Sequence, residues 1–145
     1  MCKLKTIVVV WVTPTNSAVK NYVVEKLFPK NNLKLIATWY WLKVTRKGLP
    51  IRSLFLEKGK VPYEQFFIGR YELDNKTPFT SEPKVLVSVP SAIHSHKPYL
   101  FDLLQQYLDP NINNPRCAEL FARELRPNWF SWGREPFLLN ARTIN

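Results

Sequence analysis

The hydrophobic positions of this chain fall into short runs whose composition predicts five β-strands. Residues 6–13 form a continuous apolar run, which is typical of a strand covered on both faces, and two shorter runs at 84–89 and 116–121 are interpreted as buried strands as well. Residues 33–45 and 63–71 are rich in aromatic and β-branched side chains, which also favours strands. These two aromatic-rich strands follow one another without a helical pattern between them, so we expect a local antiparallel pair.

Helical patterns accompany the other strands. The turn before Ser17 supplies N-cap residues for a helix that Pro29 ends. A second helix is predicted over residues 98–108, with Pro98 in its first turn. The C-terminal tail is rich in aromatic residues. Strands alternating with helices predict an α/β fold, in a single domain that spans residues 1–145.

Composition fits a folded protein with a hydrophobic core. Hydrophobic residues make up 46% of the 145 residues and charged residues 22%, which argues against disorder. No apolar run approaches the roughly 18 to 20 residues that a membrane-spanning helix needs. Cys2 and Cys117 form neither a disulfide framework nor a CxxC pair, which favours a reducing intracellular compartment and no structural metal.

The formal net charge of the chain is +10, from 21 Lys and Arg residues against 11 Asp and Glu residues. A surplus of this size attracts polyanions, and nucleic acids come before anionic lipid because no basic amphipathic helix is evident. The alternative is a basic protein whose charge serves only solubility.

The charge is concentrated in the loop between the two aromatic-rich strands. Six cations there are opposed only by Glu57: Lys43, Arg46, Lys47, Arg52, Lys58 and Lys60. Tyr40 and Trp41 precede these cations, Phe55 lies among them and Tyr63 follows them, so phosphate contacts beside a base-stacking surface are predicted. A solvated connection between two strands is the alternative.

The polar loop after the strand at 84–89 is a candidate anion site. It reads His94-Ser95-His96-Lys97-Pro98. Backbone N–H groups at the start of the following helix and the Lys97 ammonium group would converge there on an anion. The alternative is a capped connection between strand and helix. Two histidines without a third ligand cluster do not make a metal site, so no metal is predicted.

A second polar loop follows the strand at 116–121, and open α/β sheets bind ligands at such strand ends. Small Ala122 would allow a cofactor to approach the backbone, and Arg123 could bond to its hydroxyl groups. A strand with a solvated end is the alternative. In the tail, the two tryptophans of Trp129-Phe130-Ser131-Trp132 are interpreted as core or wall residues, and Gly133 as a residue that permits a close turn.

These motifs, SHKP, then ELFAR, then PNWxSWG, resemble the C-terminal half of the adenine-N6 methyltransferase family. Its enzymes transfer a methyl group from S-adenosylmethionine to adenine in RNA or DNA. The resemblance implies that Lys97, with His96 beside it, contacts the methionyl carboxylate of S-adenosylmethionine, and that Arg123 contacts the ribose. Gly133 belongs to the same implied site. Arg134 stands where the family tends to carry an asparagine that also holds the ribose.

The resemblance also implies a substrate side. Trp41-Leu42-Lys43 matches the family strand that ends beside the target base, and Tyr63-Glu64-Gln65 matches the next one. Substrate-side roles are therefore expected for Lys43 and Glu64. The basic loop adds expected nucleic-acid contacts at Arg46, Lys47 and Arg52.

The Asp-Pro-Pro-Trp sequence that defines the family is absent, because this chain contains no Pro-Pro pair. In the family its carboxylate and a proline carbonyl accept hydrogen bonds from the adenine amino group, so no catalytic residue is assigned here. Asp109-Pro110 is not a substitute, since it follows a helix and lacks the second proline and the aromatic. The expected fold is a Rossmann-like S-adenosylmethionine-dependent methyltransferase sheet without the strand that carries this loop. That would leave strands 6–13 and 117–121 facing a gap.

The resulting prediction is methyl transfer to the N6 amino group of adenine in RNA, with DNA as the alternative substrate, by the family to which the chain is similar. The chain itself is expected to be inactive and to be a partial gene product. The alternative is a non-catalytic nucleic-acid-binding module or a shortened isoform. The family function implies a nuclear location, with the cytoplasm as the alternative, and no membrane partner.

Overall fold

The computed structural model describes residues 6–54, 59–71, 82–93, 95–108, 111–112 and 114–143, with side chains as far as residue 138. The chain forms two compact units. The first comprises Met1–Pro90 and Tyr99–Asp109, and the second comprises Ser91–Pro98 and Pro110–Asn145. A single family domain that includes both units stays a prediction.

Four strands form a mixed sheet in the first unit, in the order β1, β3, β2, β4. Their bounds are Ile7–Val12 (β1), Leu33–Lys43 (β2), Tyr63–Tyr71 (β3) and Val85–Ser88 (β4). Strand β3 is antiparallel to both of its neighbours, whereas β4 is parallel to β2. The predicted antiparallel pair is therefore confirmed.

One face of this sheet is covered by the helical segment that follows β1. Its N-cap is Asn16, whose Oδ1 accepts a hydrogen bond from the Val19 amide at 3.1 Å. Helix α1 (Ser17–Tyr22) continues through a π-helical turn (Val23–Leu27) into helix α2 (Phe28–Lys30). Pro29 did not end the helix as predicted, because it lies in the first turn of α2, where a missing N–H is tolerated. The buried residues between this segment and the sheet are Val12, Val23, Phe28, Leu33 and Phe67.

The other face of the sheet is covered by helix α3 (Phe101–Leu104) and a 3₁₀ turn (Gln105–Tyr107). The buried residues on this face are Ala37, Trp39, Phe66, Ile68, Leu100, Leu104 and Tyr107. The prediction of a helix from residue 98 is wrong, since the helix begins at Phe101. Pro98 belongs to the second unit, so the chain passes from one unit to the other before the helix begins. Four residues cannot present the helix N-terminus that was expected to bind an anion beside Lys97.

The second unit contains a two-stranded parallel sheet, formed by β5 (Cys117–Leu120) and β6 (Trp129–Trp132). Helix α4 (Arg134–Thr143) follows β6. The aromatic tail thus contains a strand and a helix that the sequence pattern did not predict. In β6, half-buried Trp129 and Ser131 alternate with exposed Phe130 and Trp132. Because three of these four residues are aromatic, no alternation of apolar and polar positions marked the strand in the sequence.

Strands β4 and β5 are not covered on both faces as predicted. Val85 and Val87 are exposed in β4 and Leu120 is exposed in β5, whereas the alternate residues are half-buried. The physical reason is packing on one face. Half-buried Leu86 of β4 packs against the core cluster beside α3, whereas Val85 and Val87 lie on the opposite face and belong to neither core cluster.

The chain is thus a mixed α/β protein with few helices. Strand β1 is an edge strand of the first sheet, and β5 pairs with β6. A further strand between β1 and β5, as in a complete Rossmann-like sheet, stays a prediction. None of the helices described is long and apolar enough to span a membrane.

Candidate functional site

The substrate-side residues predicted from the sequence meet at one edge of the first unit's sheet. Strands β2 and β4 are parallel, so their carboxyl-terminal ends share this edge, and antiparallel β3 begins there. Lys43 ends β2 and Glu64 lies near the start of β3. Their side chains form an ion pair, with Lys43 Nζ 2.6 Å from Glu64 Oε1. The structure therefore brings together two residues that are 21 positions apart.

Aromatic side chains hold this ion pair in place. Lys43 Nζ lies 4.8 Å from the centroid of the Trp41 ring, in cation–π geometry. Trp41 Nε1 donates a hydrogen bond of 2.8 Å to Ser88 Oγ at the end of β4. The Trp11 ring packs against Trp41 edge to face, with centroids 5.9 Å apart. The polar edge of the sheet is therefore built on a rigid aromatic wall.

The expectation that a nucleobase stacks on Trp41 is wrong. Trp41 is only 2% exposed, because the alternation of β2 places it on the same face as buried Trp39. Tyr40 points to the other face and is half-buried. Its ring lies 6.1 Å from that of Tyr63, also half-buried, so these two tyrosines are the aromatic surface available here.

The basic loop begins with a tight turn directly after β2. The Gly48 amide donates to the Thr45 carbonyl at 2.9 Å, and Gly48 has a φ of +79° that suits glycine. A bridge between Val44 and Pro50 closes the turn. Arg46 and Lys47 therefore occupy the exposed tip. The further predicted contact residue Arg52 is also exposed, as is Lys60. Phe55, Glu57 and Lys58 lie outside the described residues.

In the second unit, one arginine links the two polar loops. Arg126 donates from Nη2 to the Lys97 carbonyl oxygen at 3.2 Å. The same Nη2 lies 2.5 Å from Glu124 Oε1, and Nε lies 3.3 Å from Glu119 Oε2. His96 Nε2 completes the network at 2.5 Å from Glu124 Oε2. The SHKP and ELFAR motifs, separate in sequence, are thus joined by one hydrogen bond, from Arg126 to Lys97, and by ion pairs of Arg126 and His96 with glutamate carboxylates. His94 lies outside the described residues.

The turn after β5 contains the next predicted residues. Arg123 pairs with Glu135 in the first turn of α4, and both side chains are more than one-third exposed. Phe121 has a φ of +60°, an unfavourable conformation for a bulky residue. A hydrogen bond of 3.0 Å from the Ala122 amide to the Trp132 carbonyl helps to hold it.

The structure changes the interpretation of two small residues. Ala122 is completely buried, so the prediction that a cofactor approaches its backbone is wrong. Its backbone instead packs against Gly133, where an added Cβ would lie 2.7 Å from the Ala122 nitrogen. Gly133 therefore permits a close backbone approach at the bend between β6 and α4. Arg134 begins α4 and is exposed.

Cys117 is half-buried at the start of β5. Burial raises the pKa of its thiol above 9.0, because desolvation disfavours the thiolate. A protonated thiol is a poor nucleophile and a poor metal ligand. Among the residues that the structure describes, there is also no cluster of three side chains suited to a metal ion.

The donors and acceptors of the second unit fit S-adenosylmethionine. A carboxylate requires a cation, which Lys97 would provide, and ribose hydroxyls require a donor and an acceptor side by side, which the paired Arg123 and Glu135 would provide. Ser131 Oγ adds a buried polar atom for which the described part of the chain supplies no hydrogen-bond partner. When bound, the sulfonium of this cofactor supplies an electrophilic methyl group.

Comparison with known proteins identifies the family. The MT-A70 family model matches residues 1–135. The chain belongs to the MT-A70 family. Its motifs resemble those of methyltransferase-like protein 4, and the N(6)-adenine-specific methyltransferase METTL4 of Mus musculus is 37% identical over 141 residues. This match covers 89% of the chain but 28% of the relative.

Two further relatives of this MT-A70 protein have names that specify different nucleic acids. The DNA N6-methyl methyltransferase of Caenorhabditis elegans is 35% identical over 134 residues, which is 92% of this chain and 35% of that protein. The N6-methyladenosine RNA methyltransferase MTA1 of Cryphonectria parasitica is 35% identical over 127 residues, which is 87% and 36% respectively. The chain therefore spans about one-third of these relatives or less.

Sequence reasoning missed several residues of the candidate site. Four residues were not predicted, although each contacts a predicted residue or Trp41, which supports Lys43: Ser88, Glu124, Arg126 and Glu135. The alternating charges of Glu119-Leu120-Phe121-Ala122-Arg123-Glu124-Leu125-Arg126 were the only signal, and charge alternation by itself does not say which residues pair.

Proposed function

We propose that this MT-A70 chain supplies the cofactor-binding and nucleic-acid-binding part of an adenine-N6 methyltransferase. The observation that carries the proposal is the joining of the SHKP and ELFAR loops through Arg126 and Glu124. The joining gathers Lys97 and Arg123, the cations expected to contact S-adenosylmethionine, in one unit. The family match and the names of the relatives support this reaction class.

The nucleic-acid surface in this proposal is the basic loop of the first unit. Arg46, Lys47 and Arg52 are exposed and would contact phosphates. The Lys43–Glu64 ion pair would lie on the substrate side, held by Trp41. RNA is the proposed substrate, with DNA as the second candidate, since relatives are named for each. A nuclear location follows from the proposed substrate.

The 145-residue sequence contains no Asp-Pro-Pro-Trp, so it lacks the acceptors that would orient the adenine amino group. Positioning of reactants can lower a barrier by about 7 to 11 kcal/mol. We therefore expect the purified chain not to methylate adenine detectably in RNA or DNA. Transfer of labelled methyl above a heat-denatured control would contradict this.

Calorimetry with S-adenosylmethionine tests the cofactor role. The wild-type chain should bind weakly, and Lys97→Ala should lower its affinity roughly tenfold or more, because a charge-assisted contact contributes about 1.5 to 3 kcal/mol. Arg116→Ala is the matched control, since Arg116 is an exposed cation of the same unit outside the network. Equal affinities for wild type and Lys97→Ala would remove Lys97 from the site.

A further inference from the structure

The side chain of Arg126 contacts several segments of the second unit at once. It is only 11% exposed, and its guanidinium contacts four groups from different segments. These groups are the Lys97 carbonyl, the Glu124 carboxylate, the Glu119 carboxylate and the ring of Trp129, whose centroid lies 5.6 Å away. A planar guanidinium can make such contacts simultaneously because its donors are fixed in several directions.

Each of these contacts restrains a different piece of the site. The Lys97 carbonyl belongs to the SHKP loop, Glu119 to β5 and Trp129 to β6. Glu124 in turn contacts His96, so the SHKP loop is held at two successive residues. Within the loop itself, the His96 amide donates to the Ile93 carbonyl at 3.3 Å. The loop has no helix behind it, since α3 begins only at Phe101.

We propose that Arg126 is a positioning residue that holds the SHKP loop in the conformation that presents Lys97 to a ligand carboxylate. The proposal rests on the proposed function for the identity of the ligand. Arg126 acts through the Lys97 carbonyl and the Glu124–His96 contact, and it does not itself touch the ligand. The single positive charge of Arg126 faces two carboxylates, Glu119 and Glu124, so its guanidinium is engaged and the Lys97 ammonium is the group proposed to recognise the anion.

The first test needs no ligand. Hydrogen exchange of the peptide that contains residues 95–98 is compared between wild type, Arg126→Gln and the control Arg116→Gln. Loss of the Arg126 contacts should accelerate exchange at the His96 and Lys97 amides at least severalfold in Arg126→Gln, and not in the control. Arg126→Lys keeps the positive charge but lacks the several fixed N–H donors of a guanidinium, so its exchange rate should be intermediate. This variant replaces Arg126→Gln in the test if Arg126→Gln does not fold. Unchanged protection of these amides in both Arg126 variants would overturn the proposal.

The second test uses two probes that differ in the amino-acid part. S-Adenosylmethionine carries an aminocarboxypropyl group with its carboxylate on a sulfonium, whereas 5′-methylthioadenosine lacks that whole group and is a neutral thioether. Arg126→Gln should lower the affinity for S-adenosylmethionine by roughly tenfold, as expected when one charge-assisted contact is lost, and change that for 5′-methylthioadenosine by less than about twofold. Equal losses for both probes would indicate a general structural role and overturn the proposal.

A double-mutant cycle then asks whether Arg126 acts through Lys97. The double variant Lys97→Ala/Arg126→Gln should bind S-adenosylmethionine no more than about twofold more weakly than Lys97→Ala alone, because coupled residues are not additive. Full additivity would contradict the proposal. A different outcome is that the exchange result is as expected but the wild type does not bind S-adenosylmethionine. That outcome would refute the proposed function and the assigned ligand, while the role of Arg126 in holding the SHKP loop would stand.

Discussion

Gly133 is a position where one added methyl group should disturb the second unit of the protein. A Cβ at this residue would clash with the carbonyl oxygen of Ala122 and would lie 2.7 Å from the Ala122 nitrogen and 3.1 Å from the Phe121 carbonyl carbon. These are backbone atoms, which cannot rotate away as a side chain can. Gly133→Ala must therefore displace the turn after β5 or the end of β6.

The size of the effect follows from this geometry. Real Cβ atoms essentially never come closer than 3.0 Å to such atoms, so the Ala122 nitrogen alone must move by at least 0.3 Å, the difference between 3.0 and 2.7 Å. The turn is held by the 3.0 Å hydrogen bond from Ala122 to Trp132, which resists that movement. Overpacking of this kind costs about 1 to 3 kcal/mol. With a urea m-value of about 2 kcal/mol/M, the unfolding midpoint should fall by roughly 0.5 to 1.5 M.

Urea unfolding and amide chemical shifts measure the two parts of this prediction. Gly133→Ala should lower the midpoint and shift the amide resonances of residues 121–123. Gly48→Ala is the control, because its Cβ would meet nothing within 4 Å and only its φ of +79° is unfavourable, at about 1 kcal/mol. It should leave the resonances of residues 121–123 unchanged. A wild-type midpoint together with unmoved resonances in Gly133→Ala would refute the close approach.

Three other changes have expected outcomes. Neutralising Arg46, Lys47 and Arg52 together should weaken single-stranded RNA binding and flatten the slope of log affinity against log salt by roughly 2 units. In the control variant, neutralising Lys20, Lys26 and Lys30 on the helix should change this slope less. An unchanged slope in the loop variant would show that the loop does not contact phosphates. Phe66→Ala should lower the free energy of unfolding by about 3 to 5 kcal/mol, since Phe66 is 0% exposed, and a loss below about 1 kcal/mol by urea denaturation would contradict its core role. In a Cys2→Ser background near pH 9, Cys117 should react with iodoacetamide more slowly in the folded chain than in the urea-unfolded chain. Burial raises the pKa of the Cys117 thiol and so lowers its thiolate fraction at a given pH. Equal reaction rates by mass spectrometry would count against this burial.

Local features of the sequence were enough to predict five of the six described strands and the family. Strand-forming runs depend on side-chain type and on a two-residue period, so β1 to β5 lie where the sequence places them, to within about two residues. The motifs around Lys97 and Arg123 are contiguous, which is why the order of residues along the chain sufficed to identify the family. Lys43 and Glu64 were assigned to one side by the same resemblance, and the antiparallel pairing of β2 with β3 joins them.

What the sequence could not predict depends on contacts between distant residues. Whether an apolar strand is covered on one face or two is decided by its neighbours, so β4 and β5 were wrongly expected to be fully buried. The start of α3 moved to Phe101 because the SHKP loop belongs to a different compact unit from the helix. Trp41 was removed from the stacking surface by the face on which β2 places it. The guanidinium of Arg126 is the centre of the candidate site only because folding places Lys97, Glu119 and Glu124 around it. Hydrogen bonds and ion pairs depend on the distance and direction between two groups in space, which the order of residues along the chain does not specify.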